Sequence, residues 1–154
     1  MATMLSTETE HSERVYTILD YYDGPRSGIA DFRGEPHFYY QPMEQYTGAG
    51  RDSFLLQPIS DETFKLAMED WAIWCRWERA FHSGRTTQDT HPALPQDRAR
   101  HEELDRVLAA ALRVEPGTAL RVKARFDARR RGDPGLTSTV EWRVFWMSTA
   151  WDRP

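Results

Sequence analysis

From Val15 onward the chain reads as a succession of short β-rich runs. VYTILDYY (15–22) is dense in branched and aromatic side chains and stops at Asp23-Gly24-Pro25-Arg26, where turn chemistry takes over. SGIADF (27–32) is the next predicted strand, followed by Arg33-Gly34 as a tight turn with Gly34 at positive φ. EPHFYYQ (35–41) returns, with Pro36 near its start, where the ladder needs no donor. Pro42, Gly48 and Gly50 interrupt any period, and SFLLQPI (53–59) reads as a fourth strand. Four strands joined by short turns predict an antiparallel meander.

The period then changes. Ser60 or Asp61 opens a helix, and Asp61 and Glu62 place negative charge at the positive end of its dipole. This helix is expected to reach His82, with Gly84 as its C-terminal cap. RTTQDTHPALP (85–95) is a loop. Pro95 suits the first turn of a second helix over 97–114, whose stripe is Leu104, Val107, Leu108, Ala111 and Leu112. Glu115-Pro116-Gly117 stops it. In ALRVKARF (119–126) Leu120, Val122, Ala124 and Phe126 alternate with Arg121, Lys123 and Arg125, which predicts a strand with one buried and one wet face. DARRRGDPGLTS (127–138) reads as a polar turn or loop and TVEWRVFWM (139–147) as the last strand. The sum is an α+β fold, an antiparallel sheet of about six strands with two helices packed on one face. It is expected to form a single domain over 14–150 behind a flexible tail, 1–13.

Composition adds three constraints. A chain of 154 residues suits one domain with a real core. Its six tryptophans are unusual, because rings of that size must be either buried or used. The formal net charge of -4 disfavours a dedicated nucleic-acid binder, although the charge is uneven: residues 111–154 are net basic and the rest net acidic. The lone cysteine, Cys75, excludes an intramolecular disulfide and fits a reducing compartment. MATMLSTETEHSER lacks the apolar segment of a secretory leader, and no run approaches the length of a membrane span. These features predict a cytoplasmic protein without membrane association.

The stretch EDWAIWCRWERAF (69–81) carries the sharpest local question. At helical pitch Phe64, Ala67, Met68, Trp71, Trp74, Cys75 and Phe81 share one face, and Leu66, Ile73 and Trp77 widen it. Lys65, Glu69, Arg76 and Arg79 occupy the remaining arc. Two carboxylates, Asp70 and Glu78, fall inside the apolar arc. A carboxylate there needs a cation or several donors, or burial raises its pKa. Either Glu78 pairs with an arginine of the sheet, Arg26 or Arg33, or it stands in an aromatic cleft with His82 one turn ahead. The second arrangement would make Glu78 and His82 the candidate catalytic residues, and Trp71, Trp74, Glu78 and Arg26 the candidate ligand contacts.

Other chemistry is thinner. His82, His91 and His101 match no compact metal-ligand spacing, and HEELD (101–105) lacks the second histidine of the HExxH motif, so no metal is expected. The chain carries no GxSxG, phosphate loop or GxGxxG, and no cofactor is expected. Arg121, Lys123, Arg125, Arg129, Arg130 and Arg131, with Phe126, Trp142 and Trp146 nearby, form a candidate polyanion face. Three stretches, YYDGPRSGIADFRGEPHFY, FKLAMEDWAIWCRWERAFHSG and THPALPQDRARHEEL, together resemble a group of short uncharacterised bacterial proteins. The resemblance spans roughly residues 16–106. It implies a bacterial intracellular protein and assigns no residue a role. The leading expectation is a non-catalytic protein offering an aromatic surface or cleft to a protein or a small molecule. A homodimer follows if surplus tryptophan surface remains outside. The alternatives are a small enzyme built on Glu78 and polyanion binding through 121–131.

Overall fold

The computed structural model describes residues 11–147; most of the expected tail, and residues 148–150 of the expected domain, lie outside them. The described chain gathers into two compact units, 11–58 with 114–129 and 142–147, and 59–113 with 130–141. The fold is α+β, with six antiparallel strands and two helices. No helix among the described residues is long and apolar enough to cross a membrane.

The first unit is a closed barrel in chain order: β1 (Glu13–Tyr21), β2 (Pro25–Phe32), β3 (Glu35–Tyr40), β4 (Ser53–Pro58), β5 (Leu120–Arg130) and β6 (Glu141–Met147). The β2–β3 hairpin is regular, from Ser27 opposite Tyr40 to Phe32 opposite Glu35. Its turn places Arg33 at φ 54° and Gly34 at φ 80°, the two positive angles a two-residue hairpin requires. Closure comes from β1 against β6, where Glu13 faces Val144 and Arg14 faces Arg143. The Glu13 carboxylate also accepts the turn amides of Arg33 (2.8 Å) and Gly34 (2.7 Å), tying the start of β1 to the hairpin tip.

Inside the barrel, Ala30, Tyr39, Phe54, Leu56, Val122, Ala124 and Val144 form the core. The alternation along β5 holds, with Val122 and Ala124 buried and Arg121, Lys123 and Arg125 exposed. β1 and β2 pair with register shifts, and Gly28 sits at the crowded point. A Cβ there would lie 2.1 Å from the Thr17 carbonyl oxygen and 2.7 Å from the Tyr39 hydroxyl, so only glycine permits the approach. The Tyr39 hydroxyl donates to that same carbonyl at 2.9 Å, and the Ile29 amide donates to Thr17 Oγ1 at 3.0 Å.

The second unit contains α1 (Asp61–His82) and α2 (Arg98–Ala111). Ser60 caps α1 by accepting from the Thr63 amide at 3.1 Å. At the other end Gly84 takes φ 80°, Gly84 N donates to Phe81 O (3.1 Å) and Arg85 N to Ala80 O (2.8 Å), a Schellman closure. Pro95 opens a short 3-10 turn, Pro95–Asp97, and α2 begins one residue later. Leu104 and Leu108 of its stripe are buried, whereas Val107 is 46% exposed. Three polar contacts join α1 to α2 and to the turn before it: Arg76 to Asp97, with both bonds at 3.0 Å; Arg100 to Glu69, with both at 2.7 Å; and His101 Nδ1 to Asp70 Oδ1 at 2.7 Å. The connecting loop is pinned by Trp77, whose indole N–H donates to Thr90 Oγ1 at 2.8 Å.

Candidate functional site

A cavity of about 540 Å3 opens in the barrel unit, where β1 turns into β2 and where β4 and β6 begin. Its volume lies in the ordinary range for small-molecule sites, and an opening at a barrel end is a frequent place for one. The strand pattern explains its walls. Phe54 of β4 and Phe126 of β5 point inward, with ring centroids 5.3 Å apart, and Tyr39 stands 5.1 Å from Phe126. Ala124, also buried, adds only a methyl group to the cavity wall. Trp142 enters from the start of β6, its ring edge-to-face with Tyr21 at 6.1 Å.

Three arginines line the same cavity, Arg26, Arg51 and Arg125, along with the exposed acids Asp23 and Asp52. Arg26 is the unusual one because it is only 6% exposed. Its Nε donates to the Tyr22 carbonyl (2.7 Å), and its Nη1 donates to Gln41 Oε1 (2.8 Å) and to the Arg51 carbonyl (3.0 Å). Gln41 is fully buried and is held in turn by the carbonyls of Arg51 (2.8 Å) and Ser53 (2.9 Å), to which its amide nitrogen donates. The guanidinium carbon lies 5.4 Å from the centre of the Tyr46 ring, which stacks on Tyr22 at 5.7 Å. Burial pushes the Tyr46 phenol up, Asp20 and Tyr40 add to this, and Arg26 opposes it. Every acceptor on Arg26 is a neutral oxygen, and no carboxylate among the described residues forms an ion pair with it. Nη2 makes no hydrogen bond to the described residues. It is not sealed either, because the one sealed and unpaired side-chain polar atom among the described residues is Asp31 Oδ1.

Glu78 belongs to the helical unit and is 3% exposed. Its partner is not an arginine, as the sequence suggested, but the 3-10 turn Thr137–Thr139. Oε2 accepts from Thr137 N (3.0 Å) and Oγ1 (2.5 Å), and Oε1 from Ser138 N (2.9 Å) and Oγ (2.6 Å). A carboxylate accepting four donors at the start of a helical turn needs no cation. Burial alone would push its pKa up, and the bonds from Ser138 and Thr137 outweigh it and hold the carboxyl below its usual range. Both oxygens are thus occupied. His82, one turn on, packs edge-to-face on Phe81 at 5.4 Å. Burial keeps the Cys75 thiol above its ordinary pKa; the Ser138 hydrogen bond opposes this and Glu78 adds to it.

The helix tryptophans build a stack rather than a cleft. Trp74 lies on Trp77 at 5.4 Å and Trp77 on Phe81 at 4.9 Å, with His91 edge-on to both tryptophans. Trp71 is half-buried on the same helix. Of the expected ligand contacts, Arg26 lines the barrel cavity, while Trp71, Trp74 and Glu78 belong to the other unit. Within the basic segment, Arg129 pairs with Asp127 (2.9 Å), Arg130 reaches Glu141 (3.6 Å), and Arg125 lies over Phe145 (4.2 Å). Arg121, Lys123 and Arg131 are exposed. No cluster of metal-ligating side chains occurs among the described residues. Sequence reasoning missed Arg51, Gln41, Phe54 and Trp142 as parts of one site. Nothing in their spacing announces it, since they meet only when the strands pair. Comparison with family models, with curated proteins and with solved structures finds no match to this chain.

Proposed function

We propose that this protein is a non-catalytic binding protein that takes a small molecule in the cavity at the β1–β2 end of its barrel. The observation that carries this reading is the wall of that cavity, where a rigid buried guanidinium stands beside Phe54, Phe126 and Trp142. Aromatic walls hold a flat apolar body, and one fixed polar group orients it. Exposed Tyr21 beside Trp142 extends the apolar surface at the opening. The occupied oxygens of Glu78 support binding over acid–base chemistry. The likeness of residues 16–106 to short bacterial proteins supports placing this activity inside a bacterial cell.

Protein-observed NMR with a library of small planar molecules tests the reading. Binders are expected to move the amide resonances of Tyr21, Gly24 and Phe126 and the indole N–H of Trp142. Binders that move only α1 resonances, or a library without binders, would overturn it.

A further inference from the structure

We infer that the barrel-end cavity recognises its ligand through one oxyanion, a carboxylate or a phosphate, docked on Arg26, with the ligand's planar body held between Trp142 and Phe126. The inference rests on the reading of that cavity as a ligand site. Its first support is the charge of Arg26. A guanidinium that is buried without a counter-ion is costly, and three neutral oxygens offset only part of that cost. A ligand oxyanion supplies the missing charge. Neutral ligands leave it uncompensated, and cations add to it.

The second support is geometric. Tyr22 O, Gln41 Oε1 and Arg51 O fix the plane of the guanidinium through Nε and Nη1, leaving Nη2 as the donor with no acceptor among the described residues. The fork is therefore oriented before any ligand arrives, which removes the ordering cost an exposed arginine would incur. Gln41 holds this arrangement from behind through the carbonyls of Arg51 and Ser53. The third support is that the two acids lining the cavity do not compensate Arg26: Asp23 and Asp52 are exposed, and neither is among the ion pairs of the described residues with Arg26.

Three shape-matched probes test this on the intact protein: 2-naphthoate, 2-naphthyl phosphate and the neutral 2-naphthamide. Two resonances are followed, the Trp142 indole N–H, assigned through its loss in Trp142→Phe, and the Arg26 Nε–Hε. At least one anionic probe is expected to bind about tenfold or more tightly than the amide and to shift both resonances. Whichever anion binds more tightly identifies the carboxylate or the phosphate as the group taken. In Arg26→Gln, which removes both the charge and the fork, the preference for the anion should fall to near unity. The wild-type probes decide the matter even if that variant folds poorly. Equal binding of amide and anions at Trp142 would overturn the oxyanion inference and leave the cavity a ligand site. Absence of any shift at Trp142 with all three at millimolar concentration would overturn both.

Discussion

Replacing Glu78 by glutamine tests whether this carboxylate is a structural pin. The side chain keeps its shape but loses its charge, and one acceptor oxygen becomes an NH2 group facing two donors. Of the four bonds at 2.5–3.0 Å, the one from the backbone N–H facing that group is lost, the neighbouring hydroxyl turns to accept, and the remaining two lose their charge assistance. Bonds to a charged acceptor contribute ~1.5–3 kcal/mol each, so with one lost and the others weakened the helical unit should lose about 2–4 kcal/mol. The sign of the pH dependence follows from the lowered pKa of Glu78. Its stabilisation is complete above the ordinary glutamate range and disappears as the pH falls through the lower folded-state value. Wild type and Glu78→Gln should therefore converge in acid. Urea unfolding followed by the fluorescence of Trp71, Trp74 and Trp77 measures both effects. A midpoint shift worth less than about 1 kcal/mol at neutral pH, or an undiminished gap in acid, would refute the pin.

Three further outcomes are expected. Gly28→Ala forces a methyl group against the Thr17 carbonyl and should destabilise the barrel by about 2 kcal/mol or more in the same unfolding assay. Tyr39→Phe removes the bond to Thr17 O and should cost about 1–3 kcal/mol at neutral pH. Burial holds the Tyr39 phenol well above its ordinary value, so the wild type should lose stability as the pH rises past the unfolded tyrosine range, a loss the phenylalanine variant lacks in alkaline titration followed by circular dichroism. In α2, Leu104→Ala should cost about 2–5 kcal/mol, and Val107→Ala, nearly half exposed, less than about 0.5 kcal/mol; equal effects would mean the burial of the stripe is misread.

Much of the local structure was legible because its causes are local. Ser60 caps α1, Gly84 ends it, Arg33-Gly34 makes the hairpin turn, and the alternation of β5 holds from Val122 to Arg125. The expectation failed where contacts span the chain. The segment 127–130 reads as a polar loop but is strand, and Val107 reads as core but is exposed, since one helix face can be wider than the surface that covers it. Glu78 stood out as a carboxylate in an apolar arc. An arginine was the expected answer because charge suggests charge, yet serine, threonine and two amides serve as well. Asp70, the other anomaly, meets His101, 31 residues later.

The sequence by itself determined the elements, because helix periodicity, strand alternation and turn residues act over a few positions. It also determined that Asp70 and Glu78 needed partners, since a carboxylate on an apolar face cannot stand alone. Only the tertiary structure decided who those partners are and where a ligand site forms. Pairing of β2 with β3 and of β3 with β4 brings Arg26, Gln41 and Arg51 together, and pairing of β4 with β5 and of β1 with β6 sets Phe126 and Trp142 around the same cavity. Such a site depends on register and on which strands pair, and neither is written in any short window of residues.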